Sequence, residues 1–103
     1  MAKFVYVYTG GQMAATPEAQ EAAMQAWGSW FGTLGDAVTD PGNPFGPSAA
    51  TLSHGGESAG GASGIGGYSI ISAASLAVAT SLAKGCPVLA GGGSVEVYEA
   101  LPM

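Results

Sequence analysis

A chain of 103 residues has room for one domain and one modest core, since about two-thirds of the unfolded surface is buried at this size. Hydrophobic residues make up 48% and charged residues 9%, an apolar excess that implies a surface hidden against a partner, most simply a second copy in a homodimer. With two lysines, no arginine and a formal charge of −5, the chain lacks the clustered cations that nucleic acid, anionic membranes or arginine-held phosphates require.

In chain order, residues 3–8 (Lys-Phe-Val-Tyr-Val-Tyr) are β-branched and aromatic and predict a first strand, ended by Thr9-Gly10-Gly11. Alternation sets Phe4, Tyr6 and Tyr8 on one face and Val5 and Val7 on the other. Both faces are apolar, so this strand is expected to be covered on both sides. Residues 16–35 predict a helix: Thr16 is its N-cap, Pro17 suits the first helical position, Glu18 and Glu21 complement the positive end of the dipole, and Gly35 is the stop. Ala23, Met24, Trp27, Trp30, Phe31 and Leu34 fall on one stripe, with Glu18, Gln25, Ser29 and Thr33 opposite. Gly28 and Gly32 flank that stripe, either for close backbone packing or by simple tolerance. Residues 36–39 predict a short second strand.

Residues 40–47 (Asp-Pro-Gly-Asn-Pro-Phe-Gly-Pro) admit neither a helix nor a central strand and predict a stiff connector between two similar halves. Residues 49–53 are expected to be extended. Residues 54–67, nearly all Gly, Ser and Ala, predict a mobile loop, either a lid or plain disorder. Residues 68–72 predict a strand, and Ser75 caps a helix over 76–84 with Lys84 in its last turn and Gly85 beyond. Pro87 prevents continuation, and residues 94–101 predict a final strand in which Val95 and Val97 alternate with Glu96 and Tyr98. The order β-α-β, connector, β-α-β predicts an α+β fold of the ferredoxin-like pattern, with an antiparallel sheet.

The segments 27–47, 67–74 and 75–99 resemble the YCII-related (DGPF-domain) family of the dimeric α+β barrel superfamily. The residues that carry the resemblance are Asp40-Pro41-Gly42-Asn43-Pro44-Phe45-Gly46-Pro47, Gly67-Tyr68-Ser69-Ile70-Ile71, Ala83-Lys84-Gly85-Cys86-Pro87-Val88-Leu89 and Gly93-Ser94-Val95-Glu96-Val97-Tyr98-Glu99. The resemblance implies two ferredoxin-like chains packing sheet against sheet. Some members of that family that lack the DGPF-like motif carry a histidine–aspartate pair with the histidine in the first helix. The matching position here is Met24, no histidine occurs in this helix, and Asp40 lies near the region of the partner aspartate.

For chemistry, His54 is the one side chain whose ordinary pKa lies near neutrality, so it is the first candidate base, with Asp40 as its orienter or as the acid. The alternative for His54 is a solvated loop histidine. Tyr6, Tyr8, Trp27, Phe45 and Tyr68, with Trp30 beneath, are candidates to line a pocket for an apolar or aromatic small molecule. Most aromatics must also serve the core. Cys86 follows a helix end, where a thiolate is disfavoured, and reads as structural. One His and one Cys make a metal site within the chain unexpected, and the glycine-rich segments match no nucleotide fingerprint, so no cofactor is expected. No apolar run reaches the ~20 residues that span a bilayer, and a single cysteine allows no intrachain disulfide, so a cytoplasmic setting is expected. Three functions follow: a dimeric small-molecule-binding domain, a small cofactor-free enzyme, or a protein-interaction module.

Overall fold

The computed structural model describes residues 1–10, 16–61 and 63–102; Gly11, expected to help end the first strand, and Ala62, within the expected loop, lie outside the described residues. Strand β1 (Ala2–Thr9) leads to helix α1 (Pro17–Leu34), a 3-10 turn (Gly35–Ala37) and strand β2 (Val38–Asp40). After the connector come β3 (Ala50–Ser53), β4 (Gly56–Ala59), β5 (Ile65–Ala73), α2 (Leu76–Ala83), α3 (Pro87–Ala90) and β6 (Ser94–Ala100). The fold is α+β. A four-stranded antiparallel sheet runs in the order β2-β5-β1-β6, while β3 and β4 form a separate two-stranded pair.

β1 is central, antiparallel to β5 through Val5↔Ile70 and to β6 through Val5↔Tyr98. Its alternation does what its sequence dictates: Phe4, Tyr6 and Tyr8 are buried, and Val5 and Val7 face the other side. The buried face carries the core, in which Trp30 and Leu34 of α1, Ala79 and Ala83 of α2, and Cys86 pack on Phe4, Tyr6, Tyr8, Ile71 and Ala73. Among the described residues all helical cover is therefore on one side of the sheet.

Thr16 caps α1 by accepting the Ala19 N–H at 3.1 Å, and Pro17 takes the first helical position. Of the expected stripe, Trp27, Trp30, Phe31 and Leu34 meet the core, whereas Ala23 and Met24 are exposed. Every residue from 17 to 26 is exposed, because the helix overruns the core and only its last turns lie over β1. Ser75 caps α2 by accepting the Val78 N–H at 3.2 Å. Pro87 does more than end a helix: with Cys86 held extended before it, the proline opens the short α3 at the position its fixed φ favours.

The largest difference from the sequence expectation lies in residues 54–67. They are not one loop: His54 and Gly55 make a turn, and β4 pairs with β3 from Ala50↔Ala59 to Ser53↔Gly56. Ladder hydrogen bonds use only backbone, so a segment with little side chain to pack still pairs. Ile65, expected within the loop, begins β5 and is 39% exposed.

The result is a flat body, 43 × 43 × 19 Å, with a radius of gyration of 14.9 Å against roughly 13 Å for a compact chain of this length. It exposes 6929 Å², about a third more than the roughly 5,200 Å² expected of a compact monomer of this mass.

Glycine substitutions test the packing. A Cβ at Gly28 or Gly32 meets nothing within 4 Å, so these residues are tolerated rather than required. Gly28→Ala and Gly32→Ala should each raise stability in urea denaturation by about 0.8–1 kcal/mol. Gly42 has φ +73°, and a Cβ there would sit 1.8 Å from the Tyr68 carbonyl oxygen. Gly42→Ala should therefore lower stability by more than about 1 kcal/mol, the opposite sign.

Candidate functional site

β1 carries two tyrosines into the space beneath the helices, where each hydroxyl must find a partner. The Tyr6 hydroxyl donates to the Ala79 carbonyl at 2.5 Å, fixing α2 over the strand. The Tyr8 hydroxyl donates to Ser69 Oγ at 2.8 Å, and Ser69 Oγ donates in turn to the Pro41 carbonyl at 2.6 Å. This relay runs from the central strand through a fully buried serine to the connector. Around it the rings interlock: Tyr8 meets Trp27 edge-on at 4.9 Å, Tyr6 stacks on Trp30 at 5.9 Å, and Trp30 lies 5.0 Å from Phe31. The Trp30 indole N–H donates to the Leu82 carbonyl at 3.1 Å, joining the two long helices.

These groups are held neutral. Burial, with Cys86 nearby, pushes the Tyr6 phenol up to about 12. Burial raises Tyr8 as well, and its hydrogen bond to Ser69 opposes that shift only in part. The Cys86 thiol is pushed up to about 11 by burial, against the pull of a backbone hydrogen bond at Val88. At neutral pH this cluster offers neither a phenolate nor a thiolate; its polar atoms hold the fold.

The connector, residues 40–47, is pinned as its composition predicts. Asp40 Oδ1 accepts the Gly42 N–H at 2.9 Å, Phe45 N–H donates to the Gly66 carbonyl at 2.9 Å, and Pro44 bridges Gly67 at the edge of β5. A Cβ on Gly67 would come within 3.2 Å of Pro44 Cα, so the two backbones meet closely. Phe45, 51% exposed, stacks on Tyr68 at 5.7 Å with ring planes 23° apart. Phe45 also borders an open concavity of about 710 Å³ between the connector and the hairpin, reaching Leu52 on one wall and Ile65 on the other.

The structure thus brings the predicted site residues into separate settings. Tyr6 and Tyr8 are buried in the core, Trp27 is half-buried above Tyr8, and Phe45 and Tyr68 form a pair on the opposite sheet face. His54 is exposed on the hairpin turn, and among the described residues no hydrogen bond or ion pair joins it to Asp40. Among the described residues no group of three or more His, Cys, Asp or Glu is placed to hold a metal ion. Sequence reasoning missed Ser69. Its signal was present in the alternation of residues 68–72, which sets this serine on the same face as Ile71, where a hydroxyl needs a partner.

No protein-family model, no curated protein and no solved structure matches the chain. Among the described residues no helix is long and apolar enough to cross a membrane.

Two measurements check the relay. Ser69→Ala removes the donor to Pro41 and strands the Tyr8 hydroxyl, so it should cost about 1–3 kcal/mol, more than Tyr8→Phe at about 1 kcal/mol. Equal losses in urea denaturation would mean that the serine does not tether the connector. The second is alkaline pH. The phenols of Tyr6 and Tyr8 titrate from 10.0 when unfolded but later when folded. Their contribution is whole below pH 10 and is lost as pH climbs through the folded values, so stability should fall from pH 10 towards 12. Tyr8→Phe should flatten part of that fall.

Proposed function

We propose that the chain is a ferredoxin-like subunit of a homodimer, two copies packing sheet against sheet as in the dimeric α+β barrels implied by its resemblance to YCII-related proteins, and that it binds an apolar or aromatic small molecule. The observation that carries this reading is the sheet face the helices leave bare. The register puts Val5, Val7, Tyr68, Ile70 and Tyr98 together on that face, none of them fully buried. Covering such a surface with a second copy removes apolar area from water on both chains at roughly 25 cal/mol per Å². The strand order also supports the reading, since β1 runs parallel to β2, and β5 to β6, with a strand of the other pair between them. A single cysteine, buried and free, agrees with a cytoplasmic setting.

The ligand reading rests on the Phe45–Tyr68 stack and the adjoining concavity. No side chain lining that concavity ionises near neutral pH, so a charged ligand would lose water without gaining a partner. A flat, uncharged molecule stacking on Phe45 suits it best. Tyr6, Tyr8 and Trp30 are committed to the core and Trp27 packs on Tyr8 under the helices, which leaves Phe45, backed by Tyr68, as the ring open to a ligand. Proton transfer by His54 and Asp40 is less well supported, because one Asp40 oxygen already holds the Gly42 N–H and His54 sits apart on its turn.

Light scattering at micromolar concentration should report about twice the 10.0 kDa chain mass, and a well-folded monomer would overturn the pairing. A neutral fluorescent aromatic, N-phenyl-1-naphthylamine, should bind the protein, and Phe45→Ala should weaken binding roughly two- to tenfold, the worth of one aromatic contact. Binding indifferent to Phe45→Ala would remove this site from the proposal.

A further inference from the structure

The β3–β4 hairpin lacks, within its own chain, what a two-stranded ribbon needs. None of its strand residues is buried, and Leu52 is 75% exposed. Its order comes from its own ladder, from the Gly60 N–H donating to the Ala49 carbonyl at 2.8 Å and from Thr51 Oγ1 donating to the Gly60 carbonyl at 2.8 Å. Among the described residues it makes only sparse contacts with any other element. An isolated hairpin is marginal in water and gains stability from a third strand or a surface to lie on. Exposed edges in single-chain proteins are usually guarded by charged side chains or proline, and the four-residue strands β3 and β4 hold only Glu57.

The bare sheet face has the complementary shortfall. Three strands at about 4.8 Å spacing, overlapping over about seven residues at 3.4 Å each, with the three-residue β2 beside them, give a flat footprint of roughly 400 Å². A stable interface takes about 800 Å² from each partner. The surface continuous with that face is the Phe45–Tyr68 stack, and from Phe45 the concavity leads to Leu52.

We propose that the hairpin is an arm that seats on a second copy of this chain, so that the dimer interface runs from the sheet face past Tyr68 to Leu52 and the second copy walls the concavity in which Phe45 stays open to a ligand. This rests on the sheet-to-sheet pairing proposed above and adds to it a surface outside the sheet. The arm supplies the contact area that the sheet lacks, and the second copy supplies the support that the arm lacks.

The test separates the arm from the pairing. Dimer dissociation is measured by analytical ultracentrifugation for the wild type, for Leu52→Glu on the arm and for Ile70→Lys on the sheet face, with circular dichroism as the check on folding. Hydrogen exchange of residues 50–59 is followed at concentrations above and below the dissociation constant. Leu52→Glu should weaken the dimer at least tenfold with an unchanged spectrum, and the hairpin amides should lose at least tenfold in protection when the wild type is diluted to monomer. If Ile70→Lys breaks the dimer while Leu52→Glu leaves it intact, the pairing stands and the arm falls. Hairpin amides protected equally in monomer and dimer also overturn the arm. A wild type that is monomeric at every concentration overturns both. Dilution supplies the monomer should Ile70→Lys fail to fold.

Discussion

Two buried phenols on one strand govern this structure. An unpaired hydroxyl in an apolar interior costs on the order of 1–3 kcal/mol, so Tyr6 and Tyr8 restrict what lies above and beside them. Tyr6 takes a carbonyl of α2, which sets that helix over the sheet. Tyr8 takes Ser69, and Ser69 takes a carbonyl of the connector. With both partners in place, no buried side-chain nitrogen or oxygen among the described residues lacks a hydrogen bond. The same strand that seeds the core therefore also determines where the chain passes from its first half to its second.

The connector shows how rigidity arises from composition and close approach together. Its prolines limit the conformations available to residues 40–47, but the path is selected by Gly42 and Gly67, where a side chain would strike the opposing backbone. Phe45 is consequently held out on the bare side of the sheet, against Tyr68, rather than folded into the aromatic cluster under the helices. The molecule has two aromatic centres of different character, one sealed and hydrogen-bonded, the other open to solvent.

Much of this was legible in the residues. Alternation in β1 identified its buried face, Thr16 and Pro17 marked the start of α1, and Ser75 marked the start of α2. The stiffness of the connector followed from its prolines. Three features were not legible, each for a physical reason. The exposure of Ala23 and Met24 depends on where the core ends, and helical periodicity reports only direction around an axis. The β3–β4 pairing rests on backbone hydrogen bonds, which leave no trace in hydrophobic pattern. His54 falls on the turn of that hairpin and Asp40 at the end of β2, a placement set by backbone pairing for which residue type carries no local signal. Ser69 was within reach, because a serine in register with Ile71 has to satisfy its hydroxyl in the core.

The central position of β1 also bears on how the chain acquires its structure. This strand is made before both of its neighbours, one of which is β6, whose pairing with Lys3 reaches to Ala100. Its other neighbour, β5, is also separated from it by more than half of the sequence. Contacts so distant along the chain pay loop-closure entropy before they return any stability, which slows folding relative to helical proteins of similar size. Until both neighbours exist, Phe4, Tyr6 and Tyr8 have no sheet to lie in, and the tryptophans of α1 have no floor. During that interval the aromatic strand is apolar surface without cover, the condition under which incomplete chains associate with one another.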